Sequence, residues 1–598
     1  MNKKWIGHIT KVFFNKMVFE VPDLENLRHN YLGDFYIGRG LNDYITIFNE
    51  MDKRYIFQVI GLYENEKPYL AEEESKFKEK AYFEAIPIGE ITTNGFEYGL
   101  ASFPMINEDV FLTSTEDLEK IFHSDSEALT IALGELSTND YLPKININKL
   151  LTNHLSVLGN TGSGKSTTIR KLLSELLELR ERVVDINQMN FLIFDIHNEY
   201  QIFPNEYSNQ LSIDEISIPT ETITTEDWIN LIQPSSAAQL PILMNGLRMA
   251  SLLKDGSSHS SWIRAYSALE LYNNQQTDAV TKRAKIIGLL EKVPSEEIAR
   301  AISSYSAQYG NFSNEAEKQF KQKIRDYVLQ CSGYQYDECQ EQLIRLLTEE
   351  EVEIQSINDL WIGIELVILL EEAKGNAQIR SYCSTLITRI ENIIYTYSKT
   401  LFDQSDSKKQ KFEEFVEFKK GFTVIDCSTM EDTDLLFFTG YMLKEVFNRQ
   451  KSIRNEKSHV DSVFHFILDE AHRYLSEANT EDSLKSLKIF ERISKEGRKF
   501  GLFLILASQR PGELSKTVLS QCNNFILHRI RNNIDLEQMR KSIPYINDMQ
   551  LFRLSYLRTG TVLTVGEAFS IPMELNIHGE TFGVYSETVD LNKLWSKH

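Results

Sequence analysis

Gly159, Asn160, Thr161, Gly162, Ser163, Gly164, Lys165 and Ser166 fill the Walker A pattern G-x-x-x-x-G-K-[ST] at every fixed position. Glycines at these positions let the backbone curl so that successive N–H groups face phosphate oxygens at the start of a helix. Lys165 is placed to reach the β- and γ-phosphates of a nucleotide, Ser166 to help hold Mg²⁺, and Thr167 to contact the α-phosphate. A second pattern lies some 300 residues downstream, where the apolar run VFHFIL ends in Asp469 and Glu470. Asp469 is the expected metal-side acid of a Walker B motif, and Glu470 the general base that polarises the attacking water. Binding alone does not call for the second acid, so the pair argues for hydrolysis. LFLILAS then delivers Gln509 to a strand end, where an amide bridges water and γ-phosphate.

Arginine is the remaining element of phosphoryl-transfer chemistry, commonly supplied by a neighbouring subunit in ring ATPases. SLKSLKIFERISKEGRKFG (483–501) reads as a basic helix ending in a Gly-Arg-Lys turn. Arg498 is the first candidate for a finger acting in trans, and Arg492 the second. FDIHNEY places Asp195, His197 and Glu199 just past another strand, with no role assigned by spacing alone.

These groups need a parallel sheet whose strands end on one edge. HLSVLG (154–159), the helical run from Lys165, and FLIFDI (191–196) give strand, helix and strand in turn. Strand patterns return at FTVIDC, VFHFIL, LFLILA, NFILHRI and TVLTVG. Between about 225 and 415 they give way to helical spacing, as in TKRAKIIGLLEKV and EKQFKQKIRDYVLQ. The expected fold is α/β: a P-loop RecA-like ATPase core with an N-terminal small β-barrel and a large α-helical insertion. The division is 1–115 barrel, 116–224 connector and first core segment, 225–415 insertion, 416–570 second core segment and 571–598 tail. The barrel rests on IGHITKVFF, DFYIGRG, DYITIF and RYIFQVIGLY, and the charged stretch 63–80 reads as an inserted loop or short helix.

In this order, GNTGSGKST, FDIHNEY, ILDEAHRYL, ISKEGRKFG and LILASQRP resemble the HerA branch of the FtsK–HerA ATPases. The resemblance covers most of the chain and is weakest over the helical insertion. It implies a homohexamer with ATP and Mg²⁺ at subunit interfaces, double-stranded DNA in the central channel, and a barrel shared with ATP-synthase subunits. Carried over by motif, Lys165 and Ser166 fall in the phosphate loop, Asp469 and Glu470 in the acid pair, Gln509 on the sensor strand and Arg498 in the finger segment. Asn198 departs from the family, which usually has glycine there. Relatives of this kind work with a second protein, a nuclease or a sirtuin-type NAD-degrading effector, in DNA-end processing or anti-phage defence. No nuclease constellation is evident in this chain, which assigns any effector reaction to a partner.

Composition bounds the alternatives. The 598 residues leave room for about three or four domains. With 86 acids against 64 bases the net charge is −22, which weighs against coating nucleic acid by overall charge but not against a local basic channel. No apolar run approaches the roughly 18–20 residues of a membrane span, and no signal-peptide pattern opens the chain. Five dispersed cysteines without a CxxC pair fit a reduced, cytoplasmic setting. The letters DEAH at 469–472 suggest an RNA helicase. The wide separation of Lys165 from Asp469, and the lack of both a Ser-Ala-Thr motif after the box and a second sheet domain, argue against it. A transporter ATPase would need an LSGGQ-like signature, which is absent. A ring that scaffolds and regulates an effector, with little translocation of its own, needs the same nucleotide site and stands as the alternative to a motor.

Overall fold

The computed structural model describes residues 4–577, apart from 65–80, 180–188, 274–278, 406–420, 477–484 and several shorter stretches. Most of the charged stretch 63–80 lies outside the described residues, as do residues 36–39 of DFYIGRG and the chain from 578 onward.

The first unit is a six-stranded antiparallel barrel. Its strands run in the spatial order Met17–Val21, Trp5–Val12, Asp109–Leu112, Tyr44–Phe48, Arg54–Tyr63 and Ala81–Thr92, and the last pairs back onto the first. Closure removes the sheet edges that such short strands would otherwise expose. Ile9, Phe19, Ile45, Ile47, Phe57, Phe83 and Val110 fill the interior. Gly95–Tyr98 adds a hairpin arm outside the closed ring.

The second unit is built on a ten-stranded sheet. Seven strands are parallel, in the order Cys522–Leu527, His154–Leu158, Leu502–Ser508, Val463–Leu468, Met189–Asp195, Phe422–Asp426 and Ser208–Ser212. Three antiparallel strands, Thr561–Gly566, Met573–Asn576 and Glu135–Leu136, continue it beyond Cys522–Leu527. The period of two in these apolar runs sorts residues onto two faces. Leu155, Val157, Phe191, Ile193, Ile505 and Ala507 meet Ile169, Leu172, Leu173 and Leu176 of the helix Lys165–Glu178. Leu158, Leu192, Phe194, Leu504 and Leu506 share the opposite core with Leu435, Phe438 and Phe447 of the long helix Asp432–Lys457. Strands covered on both faces explain why these runs are continuously apolar rather than alternating.

Helices occupy the chain from Thr225 to Tyr397, among them Gln239–Leu252, Asn314–Ser332, Ile357–Ala373 and Ser384–Tyr397. Their core, around Trp228, Trp262, Leu269, Phe320 and Ile364, is continuous with that second face of the sheet. The α/β reading with barrel and helical insertion therefore holds. One boundary needs correction: the division at 570 cuts a hairpin, because Thr561–Gly566 pairs with Met573–Asn576. The residues assigned to a tail begin with a strand of the sheet. The edge strand Ser208–Ser212 was also unanticipated, since SNQLS carries no apolar alternation.

Candidate active site

The central strand His154–Leu158 releases the chain into the phosphate loop. Gly164 holds φ +106°, a left-handed conformation that L side chains rarely adopt, and it caps the helix beginning at Lys165. Gly159 is required by a close approach, because a Cβ there would lie 2.4 Å from Cβ of His528. The His528 ring sits beneath the loop. Its Nδ1 donates to the Ser163 carbonyl at 2.9 Å, and its Nε2 lies 3.0 Å from Thr168 Oγ1, which makes the hydroxyl the donor. Burial pushes its pKa down to about 4, so the ring is the neutral tautomer this pairing needs. Nothing in NFILHRI distinguishes this residue from any other first residue beyond a strand.

The neighbouring strands end beside the loop. Register pairs Leu158 with Ser508 and Leu468 with Leu506, so Gln509 and the Asp469–Glu470 pair emerge on the edge that carries the loop. Adjacent strands are about 4.8 Å apart, which gathers these groups within one nucleotide's reach. Thr161 Oγ1 donates to Gln509 Oε1, linking the loop directly to the end of Leu502–Ser508. Lys165 is buried, and its Nζ donates to the Asn160 carbonyl at 3.3 Å. Burial lowers its pKa, while Glu470, Asp469 and Glu199 oppose that shift.

The two acids differ in environment. Asp469 is 3% exposed, and its Oδ1 accepts from the Glu470 amide at 3.0 Å. Burial, followed by the charges of Glu470 and Glu199, pushes its pKa up to about 7. Burial also opposes ionisation of Glu470, but His472, Lys165 and the Gln509 backbone outweigh it and hold that carboxyl below its ordinary range. His472 Nδ1 lies 3.3 Å from Glu470 Oε2 and 3.4 Å from Ser508 Oγ, between the acid pair and the sensor strand. Glu470 itself stands at φ +48°, a left-handed conformation uncommon for a side-chain-bearing residue. Such strain is maintained where surrounding contacts fix it, and here it accompanies the turn that places the Glu470 carboxylate. Negative charge concentrated on oxygen donors, with a buried carboxylate that no described cation pairs directly, fits a divalent cation of the Mg²⁺ type. Asp469 and the Ser166 hydroxyl are the residues suited to hold it.

The FDIHNEY segment forms the far wall. Asp195 is fully buried and accepts from the amides of Glu199 at 3.0 Å and Tyr200 at 2.9 Å. Asn198 takes φ +57°, the conformation for which glycine is suited and which asparagine tolerates best among other residues. The departure from the family's glycine therefore preserves the turn. His197 is exposed.

Arg498 lies elsewhere. It occupies the turn Gly497–Phe500 that feeds the N-terminal end of Leu502–Ser508, while Gln509 leaves the other end. Seven strand residues separate the two ends by about 20 Å, so Arg498 cannot touch a nucleotide bound to its own loop. It is exposed, and no acid among the described residues pairs with it. Arg492 is engaged locally, with its guanidinium 4.4 Å from the Phe447 ring centroid and 3.5 Å from Glu496.

Residues 131–292 match the family model described as the central domain of helicase HerA. A probable helicase of Methanocaldococcus jannaschii is 25% identical over 477 residues, covering 79% of this chain and 74% of that protein. A DNA double-strand break repair helicase HerA of Sulfurisphaera tokodaii is 24% identical over 476 residues, covering 79% and 73%. Among solved structures, VirB4 of Thermoanaerobacter pseudethanolicus aligns with a TM-score of 0.40 and 14% identity, over 77% of this chain and 98% of that one. The resemblance to HerA proteins read from the motifs thus extends over most of the chain.

Proposed function

We propose that the chain is an ATP-hydrolysing, ring-forming double-stranded DNA translocase of HerA type. The observation that carries this reading is the convergence of the phosphate loop, Asp469, Glu470 and Gln509 on one sheet edge, in a chain similar to helicases over most of its length. Lys165 and the loop amides hold the β- and γ-phosphates. Ser166 and Asp469 would hold Mg²⁺, which would supply charge neutralisation at the phosphates. Glu470, kept ionised by its neighbours, accepts the proton of the attacking water as the oxygen approaches the γ-phosphorus. Gln509, tied to Thr161 on the loop, orients that water. Arg498 completes the site from an adjacent copy, because its position excludes its own nucleotide. A homohexamer supplies that geometry at each interface, with DNA in the channel. No described helix is long and apolar enough to cross a membrane. The setting we assign is cytoplasmic, with the ring as motor subunit of a two-component defence or DNA-end-processing complex. The partner is a nuclease or a sirtuin-type NAD-degrading effector.

The test is the ATPase rate of size-fractionated protein with and without linear double-stranded DNA. A hexamer whose rate rises with DNA supports a motor. A hexamer that hydrolyses ATP but ignores DNA makes the ring a regulator of its partner and overturns translocation while leaving the ATPase intact.

A further inference from the structure

Glu199 has no part in the hydrolysis scheme above, yet the fold spends considerable effort placing it. Buried Asp195 ties down the Glu199 and Tyr200 amides, Asn198 turns the chain through a left-handed residue, and the Tyr200 ring is wholly buried beneath. Glu199 follows Met189–Asp195, the strand on the far side of Val463–Leu468 from the sensor strand. Gln509 and Glu199 therefore flank Asp469–Glu470 from opposite sides. The Glu199 carboxylate is close enough to influence both Lys165 and Asp469 electrostatically. Its Oε2 is buried and makes no hydrogen bond.

An ionised carboxylate oxygen shut away from solvent without a donor is costly unless a bound group supplies one. Lys165 is turned to the Asn160 carbonyl instead. Mg²⁺ sheds its water reluctantly and is usually held by one or two direct protein oxygens with several waters retained. Asp469 and Ser166 already account for the direct donors, which leaves water O–H groups on that side in need of an acceptor.

We propose that Glu199 is a positioning acid of the nucleotide site, accepting a hydrogen bond from a water of the Mg²⁺ shell on the side opposite Gln509. This rests on the ATPase reading above. A carboxylate there fixes the water shell and, through it, the register of the γ-phosphate against Glu470. Glutamine keeps the shape but is a weaker acceptor, so the chain should fold and bind nucleotide while handling the metal badly.

The experiment compares wild type with Glu199→Gln and Glu199→Asp by titrating a fluorescent ADP analogue with and without Mg²⁺, alongside steady-state ATPase across Mg²⁺ concentrations. In Glu199→Gln, metal-free affinity should stay within about 3-fold of wild type, while the tightening brought by Mg²⁺ shrinks by about 10-fold, as for loss of an outer-shell partner. The Mg²⁺ concentration for half-maximal hydrolysis should rise in parallel, with Glu199→Asp intermediate. Wild-type Mg²⁺ dependence in Glu199→Gln overturns the proposal. Equal weakening with and without metal also overturns it, because Glu199 is then only a counter-charge for Lys165. Glu470→Gln, run in parallel, separates the two readings: if it too hydrolyses ATP normally, the ATPase site itself is misassigned.

Discussion

The two edges of the parallel sheet use the same strands for opposite purposes. At the C-terminal edge, three carboxylates crowd one buried lysine, Glu470 sits in a left-handed conformation and buried oxygens lack donors. At the N-terminal edge, buried histidines of the strands are tied to backbone, although His465 Nδ1 has no partner. The Leu504 amide donates to His154 Nδ1 at 2.9 Å, His154 Nε2 donates to the Ser494 carbonyl at 3.0 Å, and His465 Nε2 donates to the Leu151 carbonyl at 2.8 Å. One end is left ready for a ligand, and the other is held largely by its own hydrogen bonds. Exposed Arg498 is the exception on the closed edge, and it is the group whose proposed work lies on another copy. Substitutions at one edge should therefore change rate without stability, and at the other stability without rate.

The largest test of that division is Glu470→Gln, which should lower kcat by about 10⁴-fold with the melting temperature at or above wild type; an unfolded variant would erase the distinction. Arg498→Ala should lower kcat by about 10³-fold, again without loss of stability. Mixing it with Glu470→Gln subunits should recover activity at interfaces pairing an intact finger with an intact base, and no recovery at any ratio removes the trans role. His154→Ala, on the quiet edge, should cost about 1–3 kcal/mol of stability by orphaning the Leu504 amide and Ser494 carbonyl, with KM for ATP unchanged.

Acid provides a gentler probe of the same edge. Burial pushes the pKa of both His154 and His465 down to about 4, below the ordinary 6.5. The unfolded chain therefore binds more protons between those values, so this contribution is present above pH 6.5 and is lost as pH falls toward 4. Their contribution to the melting temperature should decline from pH 6.5 to about 5, against the opposite pull of Asp469. Ring NMR titrations with midpoints near 6.5 would show that these rings are not held neutral. The smallest effect belongs to the far wall of the site. Asn198→Gly should change stability by less than about 1 kcal/mol with activity retained, whereas Asn198→Val should cost about 1–2 kcal/mol through its left-handed backbone.

What was legible in the sequence follows from how local each cause is. The phosphate loop, the acid pair and Gln509 were readable because each is a short segment with its own strand or helix, and the two-face burial of the core strands appears as unbroken apolar runs. Ser208–Ser212 was missed because an edge strand under little burial needs no apolar pattern. The hairpin beyond 570 was missed because its second strand is only four residues long. His528 bonds a residue 360 positions away, and Glu199 exerts its charge on one about 270 away, and no local pattern encodes such a meeting. Asn198 looked like a defect until its backbone angle showed that it does the work of glycine.

The central strand His154–Leu158 has both its neighbours, Leu502–Ser508 and Cys522–Leu527, about 350 residues later in the chain. Such contact order is slow to close and governs when the site can exist at all. During synthesis the barrel can form from the first 112 residues, while the phosphate loop must wait, unsupported, for nearly nine-tenths of the chain to emerge. A nascent or truncated chain therefore has no partial nucleotide site, and ATP can stabilise only a protomer whose sheet is already complete.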